Sequence, residues 1–244
     1  MFNFLQKPPP IVHFQQVAGK VGFPERNGPL IYLPFCNLHC DYCLNTKVVG
    51  GRLEEIPFKN IEKHIKDFNE SFVFISGGEP CFHKTLHVLV KKLKKLGVKV
   101  GISTNGTYFD SLKNLIETGL DFVAMDIKTD LRKYEKWKIL GCSEAQFKNI
   151  LKSVYLINSH INYRGFGQEF RTTLYPPLVE ESDIEGIMEY IVPKAVWILQ
   201  QFRPRKGLLG GSSISEIKPY SDETLYNWEK MAKTKIANTH LRWP

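Results

Sequence analysis

Residues 30–43 read LIYLPFCNLHCDYC, an apolar run followed directly by three cysteines. The aromatic and branched side chains of residues 30–35 predict a buried strand. Cys36, Cys40 and Cys43 then lie together on the loop that leaves its carboxyl end. Three thiolates on one short loop can hold three corners of an iron–sulfur cube, which leaves one iron free to bind a small molecule.

A zinc site and a set of unrelated thiols both fit this cluster less well. A zinc ion would need His39 or a distant residue as its fourth ligand. Three unrelated buried thiols are disfavoured because the stretch around them is polar and loop-forming. The total of five cysteines is odd, which does not indicate a secreted disulfide framework. The spacing therefore indicates metal ligation in a reducing compartment, with Cys81 and Cys142 as bystanders.

Five further apolar runs resemble the first and alternate with helical patterns. The six predicted strands cover residues 30–35, 72–76, 98–103, 122–127, 169–174 and 196–199. Amphipathic helices are predicted at 57–68, 86–96, 146–157, 184–191 and 221–231, with loops at 158–167 and 204–219. A strand–helix unit repeated about six times predicts a single α/β domain with parallel strands and right-handed connections.

Polar residues and glycines follow the carboxyl ends of these strands. The sequence SGGEP occupies residues 76–80, STNG occupies 103–106 and DIK occupies 126–128. Arg171 lies in the fifth strand, and Gln200 and Gln201 follow the sixth. Each motif alone is typical of a turn, an ion pair or a solvated rim. Because ligands of parallel α/β folds bind at this face, the motifs together predict one binding site.

The spacing CxxxCxxC, with Tyr42 before the last cysteine, resembles the radical S-adenosylmethionine (SAM) superfamily. The resemblance implies a partial, three-quarter parallel (β/α)6 barrel of radical SAM type, in which the three cysteines bind a [4Fe-4S] cluster. In that family the open iron chelates the amino and carboxylate groups of SAM. The reduced cluster passes an electron to the sulfonium, which releases methionine and a 5′-deoxyadenosyl radical.

The same resemblance gives the other motifs their roles. In the superfamily a GGE(P) stretch receives the amino group of SAM, and the stretch is complete here. Lys128 would pair with the SAM carboxylate, while Ser103, Thr104 and Asp126 would shape the ribose site or a monovalent cation site. The residues expected to bind the cofactor are Tyr42, Gly77, Gly78, Glu79, Pro80, Ser103, Thr104, Asn105, Asp126, Lys128, Arg171 and Gln200.

Three longer stretches resemble a particular branch of the superfamily. VAMDIKTD at 123–130, FRTT at 170–173 and LQQFRP at 199–204 are similar to the activating proteins of anaerobic ribonucleotide reductase and their pyruvate formate-lyase activase relatives. The resemblance runs from Phe35 to the C-terminus. It implies that the radical abstracts a hydrogen from a glycine of a glycyl radical enzyme, here the catalytic subunit of an anaerobic ribonucleotide reductase. The loop at 204–219 is expected near the mouth where that partner enters.

Residues 14–29 depart from these activases. They carry a short FPERNG insertion at 23–28 within a glutamine- and glycine-rich segment, which resembles 7-carboxy-7-deazaguanine synthase. A radical SAM enzyme acting on a small molecule is therefore an alternative. A non-catalytic zinc or iron–sulfur binding module is a third hypothesis, and it would show no SAM cleavage.

Composition bounds the remaining possibilities. No apolar run approaches the roughly 18 to 20 residues that span a bilayer, and the first residues lack a cleavage site, so we expect a cytoplasmic protein without membrane association. The formal net charge is +8, but no nucleic-acid-binding motif accompanies it. We assign the excess to docking of an acidic flavodoxin or ferredoxin that reduces the cluster. Residues 1–28 are expected to form an N-terminal lead-in and residues 29–244 the core domain.

Overall fold

The computed structural model describes residues 7–17 and 28–243, and it contains one sheet of eight strands that lie side by side in chain order. The strands are β1 (His13–Val17), β2 (Gly28–Leu33), β3 (Phe72–Gly77), β4 (Lys99–Thr104), β5 (Phe122–Asp126), β6 (Gly167–Leu174), β7 (Val196–Gln201) and β8 (Asn238–Arg242). β1 is antiparallel to β2, and each later neighbouring pair is parallel. β1 and β8 form the two edges, so the sheet is open, as expected of a partial barrel.

Eight helices connect the described strands or follow them. They are α1 (Thr46–Val49), α2 (Phe58–Asp67), α3 (Leu86–Lys95), α4 (Phe109–Glu117), α5 (Tyr134–Ile139), α6 (Glu144–His160), α7 (Glu181–Met188) and α8 (Asp222–Lys233). Local sequence explains several helix starts. Ser143 and Gln146 form a capping box at α6, and the Ser221 hydroxyl accepts the Thr224 N–H at the start of α8.

The predicted α/β class and all six predicted strands are confirmed, but the sheet has seven parallel strands rather than six. The apolar run predicts a first strand that reaches Phe35, whereas β2 ends at Leu33. Pro34 has no N–H to donate, and Phe35 adopts a φ of 66°, which turns the chain away from the sheet.

Five elements carry no clear sequence signal and are absent from the predicted set: β1, β8, α1, α4 and α5. β1 and β8 are edge strands with several polar residues, so they lack the apolar run that identifies a central strand. The loop predicted at 158–167 is shorter than expected because α6 continues to His160 and β6 begins at Gly167. The loop predicted at 204–219 contains a 3₁₀ helix, Ser212–Glu216.

Apolar side chains pack on both faces of the sheet. The outer face joins the helices in one large core cluster, while Phe72, Phe74 and Phe122 belong to a smaller cluster on the inner face. Glycines make room for these rings, because a Cβ on Gly101 would lie 2.8 Å from the Phe74 side chain and one on Gly167 2.6 Å from Phe122. The amino end of the barrel is therefore filled.

The same inward-facing rows become polar towards the carboxyl ends of the strands. Side chains alternate along a strand, so Phe74 is followed on its face by Ser76 and Phe122 by Asp126. Gly101 is likewise followed by Ser103. The open, polar end of the barrel is thus the carboxyl end, where the sequence motifs lie.

The predicted lead-in contributes β1 to the same sheet through pairing with β2. The boundary between residues 28 and 29 remains a prediction. Residues 23–27 of the FPERNG insertion lie outside the described residues. Within 7–17 and 28–243, the longest apolar helix falls short of what crossing a membrane requires.

Candidate functional site

The three clustered cysteines lie on the loop between β2 and α1. Cys40 is buried, Cys36 and Cys43 are half-buried, and all three are free thiols. Burial, together with the nearby Glu79 carboxylate, raises the pKa of Cys36 to about 12, and burial also raises the pKa of Cys40. Thiols in this environment ionise readily only when a cation compensates their charge. Their protonation chemistry therefore suits metal ligation.

An iron–sulfur cube and a single metal ion require different arrangements of these thiols. Among the described residues, no three His, Cys, Asp or Glu side chains come together as a site for one metal ion. Each cysteine of an iron–sulfur cube binds a different iron, so its ligands need not converge on one point. A tetrahedral zinc site would require such convergence.

Side-chain amides anchor the cysteine loop to the end of β4. The Asn105 amide donates to Asn37 Oδ1 at 3.0 Å, and the Asn37 amide donates to Thr107 Oγ1 at 3.0 Å. The Asn105 amide nitrogen also lies 4.0 Å from Cys36 Sγ. Asn105 therefore holds a loop residue in place and approaches a cysteine sulfur at the same time.

Gly77 and Gly78 allow two backbones to meet. The sequence predicts that these glycines contact the cofactor, and the structure shows that they also admit the end of β2 and the start of the β2–α1 loop. The Gly78 N–H donates to Leu33 O at 2.9 Å, and a Cβ on Gly78 would lie 1.8 Å from Phe35 O. Gly77 has a φ of 116°, and its carbonyl accepts the Asn45 side-chain amide at 2.6 Å. The SGGEP stretch is thus packed directly against the cysteine loop.

Glu79 is buried and organises the loops after β3 and β4. Its carboxylate accepts three hydrogen bonds, from Cys81 N at 2.9 Å, Thr104 Oγ1 at 2.8 Å and Asn105 N at 2.6 Å. Burial nevertheless raises the pKa of Glu79 to about 7, because these donors only partly offset the lost solvation. Its oxygens are committed to protein donors, so the backbone of this stretch is what it presents to a ligand.

Charged side chains form a row across β4, β5 and β6. Asp126 accepts from Lys128 Nζ at 2.8 Å and from Arg171 Nε at 2.7 Å, and Arg171 also donates to the Ser103 hydroxyl. Burial alone would raise the pKa of Asp126, but the two cations outweigh it and lower the pKa to about 2. The Tyr42 ring lies 5.9 Å from Lys128 Nζ. Arg171 Nη1 also lies 3.8 Å from Glu169 Oε1, so the row contains two cations and two carboxylates.

One cavity of about 510 Å³ brings these groups together at the carboxyl end of the sheet. Its lining includes every cluster cysteine and every residue expected to bind the cofactor except Pro80, which begins a short 3₁₀ helix outside the lining. The loop after β7 also borders the cavity through Arg205 and Leu209. It is tied to the cysteine loop, since Leu209 N donates to Cys43 O at 3.2 Å.

Comparison with known proteins identifies the family. The sequence profile of the Radical SAM superfamily matches residues 30–191, more than half of the chain. The chain belongs to the radical SAM superfamily. It is therefore an enzyme of a family that uses a [4Fe-4S] cluster and SAM.

Several radical SAM proteins are similar over long stretches. A Methanocaldococcus jannaschii protein, provisionally named glycyl-radical enzyme activating enzyme MJ1227, is 30% identical over 230 residues, which cover 91% of each chain. The 7-carboxy-7-deazaguanine synthase of Thermoplasma acidophilum is 33% identical over 121 residues, 46% of this chain and 56% of that protein. The structure of Streptococcus suis SuiB bound to SAM matches with a TM-score of 0.62 and 16% identity, over 88% of this chain and 51% of SuiB. That likeness concerns the fold.

The site fits the radical SAM cofactors. The donor set of three cysteines on one loop suits a cube with an open iron, and the Lys128 ammonium in the cavity lining suits a carboxylate. The ligand role of each individual residue remains a prediction. Cys81 and Cys142 are buried, free thiols outside the cavity lining, as expected of bystanders.

Sequence reasoning missed several residues of the radical SAM cavity. They are Thr173, Arg203, Arg205, Arg242 and Trp243. Spacing could have found two of them, because Arg203 and Arg205 follow Gln201 at intervals of two and share a face of an extended chain. Arg242 and Trp243 could not be placed, since β8 itself carries no strand signal in the sequence.

Proposed function

We propose that this protein is a radical SAM activating enzyme that generates a glycyl radical on a partner enzyme, with the catalytic subunit of an anaerobic ribonucleotide reductase as the target. The observation that carries the proposal is the similarity to MJ1227 over 91% of both chains. A match of that extent includes the strands and loops of the cavity mouth as well as the cluster motif. The family and the overall site are shared with other activities, so the target is the part to be tested.

The cysteine loop has one role in this function. Cys36, Cys40 and Cys43 would each hold one iron of the cluster, and Asn37 and Asn105 tie the loop to the end of β4. When bound, the cluster and SAM supply the 5′-deoxyadenosyl radical that abstracts the glycine hydrogen. The radical has to be kept away from oxygen and from other hydrogen donors, and the filled amino end of the barrel closes one side of the site.

The charged row orients SAM. Its methionyl carboxylate would face the Lys128 ammonium, which lines the cavity beside Asp126. The backbone of the Gly77–Glu79 stretch would receive the amino group, because the Glu79 oxygens are occupied by protein donors. These contacts would hold the amino and carboxylate groups at the α-carbon of the methionyl part of SAM.

The test combines SAM cleavage with radical detection. The protein is reconstituted anaerobically with iron and sulfide, reduced with flavodoxin or ferredoxin in parallel reactions, and incubated with SAM and the reductase subunit of its own genome. We expect 5′-deoxyadenosine and a glycyl doublet in the electron paramagnetic resonance spectrum. Cys40→Ala should abolish both signals, and Cys142→Ala is the matched control that should keep both. SAM cleavage without a doublet would refute the proposed target.

The similarity to 7-carboxy-7-deazaguanine synthase supports a second candidate, a radical SAM enzyme acting on a pterin-derived small molecule. That match covers less than half of this chain, so it ranks second. Conversion of such a substrate, in the absence of any glycyl signal, would favour it.

A further inference from the structure

Three arginines surround the outer part of the cavity: Arg203, Arg205 and Arg242. Arg203 and Arg205 lie just after β7, where the buried Phe202 packs against the Tyr175 ring at 4.9 Å. The side chain of Phe202 is buried, whereas those of Arg203 and Arg205, one and three residues further along the chain, are not. Both are exposed and both line the cavity.

The rim arginines are not neutralised from within. Five cationic side chains line the cavity against two acidic ones, Glu79 and Asp126. Asp126 is already shared by Lys128 and Arg171, and both Glu79 oxygens accept hydrogen bonds from protein donors. Arg242 reaches Glu169 Oε2 at 3.3 Å, but no described acidic side chain forms an ion pair with Arg203 or Arg205.

We propose that Arg203 and Arg205 bind a carboxylate of the substrate as it enters the cavity. A guanidinium presents a planar fork that matches a carboxylate in a bidentate pair, and two adjacent forks discriminate strongly against a neutral amide. The inference rests on the proposed function in taking the substrate to be a polypeptide segment that contains a glycine. The carboxylate then belongs to an acidic side chain or to the chain end of that segment, and a free small acid is the other source to be distinguished.

The experiment uses the reconstituted holoenzyme with an oxidised cluster and bound SAM, a state in which no turnover occurs. Two nine-residue peptides with a central glycine are compared by calorimetry: one has aspartates flanking the glycine, and its twin has asparagines and an amidated end. Succinate is the small-acid probe. We expect the acidic peptide to bind at least tenfold more tightly than its twin, because hydrogen bonds to charged groups reach this size.

Two variants assign the preference to residues. In the double variant Arg203→Gln, Arg205→Gln, the acidic peptide should bind within about twofold of its twin, with the SAM affinity unchanged. Lys206→Gln is the matched control, since Lys206 is an exposed cation of the same loop that does not line the cavity, and it should keep the tenfold preference. The peptide comparison on unaltered protein tests the same point without depending on how the variant folds.

Each outcome decides the matter. Equal binding of the two peptides and no succinate binding would overturn the inference, as would an equal loss in Lys206→Gln. Loss of SAM affinity in the double variant would show that the two arginines bind SAM, and it would also overturn the inference. Succinate binding that requires both arginines, without any peptide binding, supports the carboxylate site while counting against the proposed function. If the enzyme prefers the acidic peptide but forms no glycyl doublet on the reductase subunit, the carboxylate site is likewise supported and the proposed function is not.

Discussion

Replacing Glu79 by glutamine should change how stability depends on pH. The buried carboxyl has its pKa raised to about 7, against an ordinary value of 4.5. Between these values the folded state holds a proton that the unfolded state has released. The unfolding free energy of the wild type therefore falls as the pH rises through this interval, by roughly 3 kcal/mol from this group.

Glutamine does not ionise, so this loss should be absent from E79Q. The substitution also has an effect that does not vary with pH. Only one amide oxygen remains, so the side chain cannot accept both from Asn105 N and from the donors on its other oxygen, Cys81 N and Thr104 Oγ1. Leaving a buried donor unsatisfied costs about 1–3 kcal/mol. That cost shifts the whole E79Q curve without altering its slope.

The measurement is urea unfolding of the cluster-free protein from pH 5 to pH 8, followed by tryptophan fluorescence. The stability of E79Q relative to wild type should rise by roughly 2–3 kcal/mol across this range, since most of the interval from 4.5 to 7 lies within it. E117Q is the control, because Glu117 is an exposed glutamate at the end of α4. Its curve should run parallel to that of the wild type. If the curve of E79Q is also parallel to that of the wild type, burial does not raise the pKa of Glu79.

Three further substitutions test the cysteine loop, the backbone contact and the charged row. Cys40→Ala should prevent stable cluster assembly, measured as iron bound after anaerobic reconstitution, whereas Cys81→Ala should keep the wild-type content because this thiol lies outside the cavity lining. Gly78→Ala would place a Cβ 1.8 Å from a backbone oxygen, so this variant should not fold. Gly165→Ala has open space around its Cβ and should lower the unfolding free energy by only about 1 kcal/mol. Similar melting temperatures for the two variants would contradict the close contact at Gly78. Asp126→Asn should lower the unfolding free energy at pH 7.5 by roughly 2 kcal/mol, because the pKa of Asp126 is about 2, below the ordinary 3.8. The ionised carboxylate stabilises the fold above pH 4, and this stabilisation is lost as the pH falls towards 2. Wild-type stability of this variant in urea would mean that its two cations do not depend on it.

The central strands and the site motifs were predictable because their signals are local. A buried parallel strand is an unbroken apolar run, and the polar residue that follows it lies at the ligand-binding face. The cysteine spacing and the residues at 76–80, 103–106 and 126–128 could therefore be assigned to one cavity from their positions in the chain. The structure places all of these residues in the cavity lining except Pro80, Gly106 and Ile127.

The missing parts depend on contacts between distant segments. β8 has a polar sequence and is a strand because β7 pairs with it, so Arg242 could not be assigned to the cavity. Position 78 requires glycine because of its contact with the backbone of Phe35, more than forty residues earlier in the chain. The raised pKa of Glu79 results from burial by distant segments, which no local sequence pattern indicates.

The close contact of Gly78 with Phe35 links two binding events. Backbone meets backbone there, and the Glu79 N–H also donates to Phe35 O at 2.8 Å. Any movement of the cysteine loop is therefore transmitted to the stretch that would receive the SAM amino group, with no flexible side chain to absorb it. Thermodynamic reciprocity then requires that if cluster assembly tightens SAM binding, SAM tightens the binding of the cluster by the same factor. A higher concentration of SAM would thereby shift the equilibrium towards the protein that retains its metal centre.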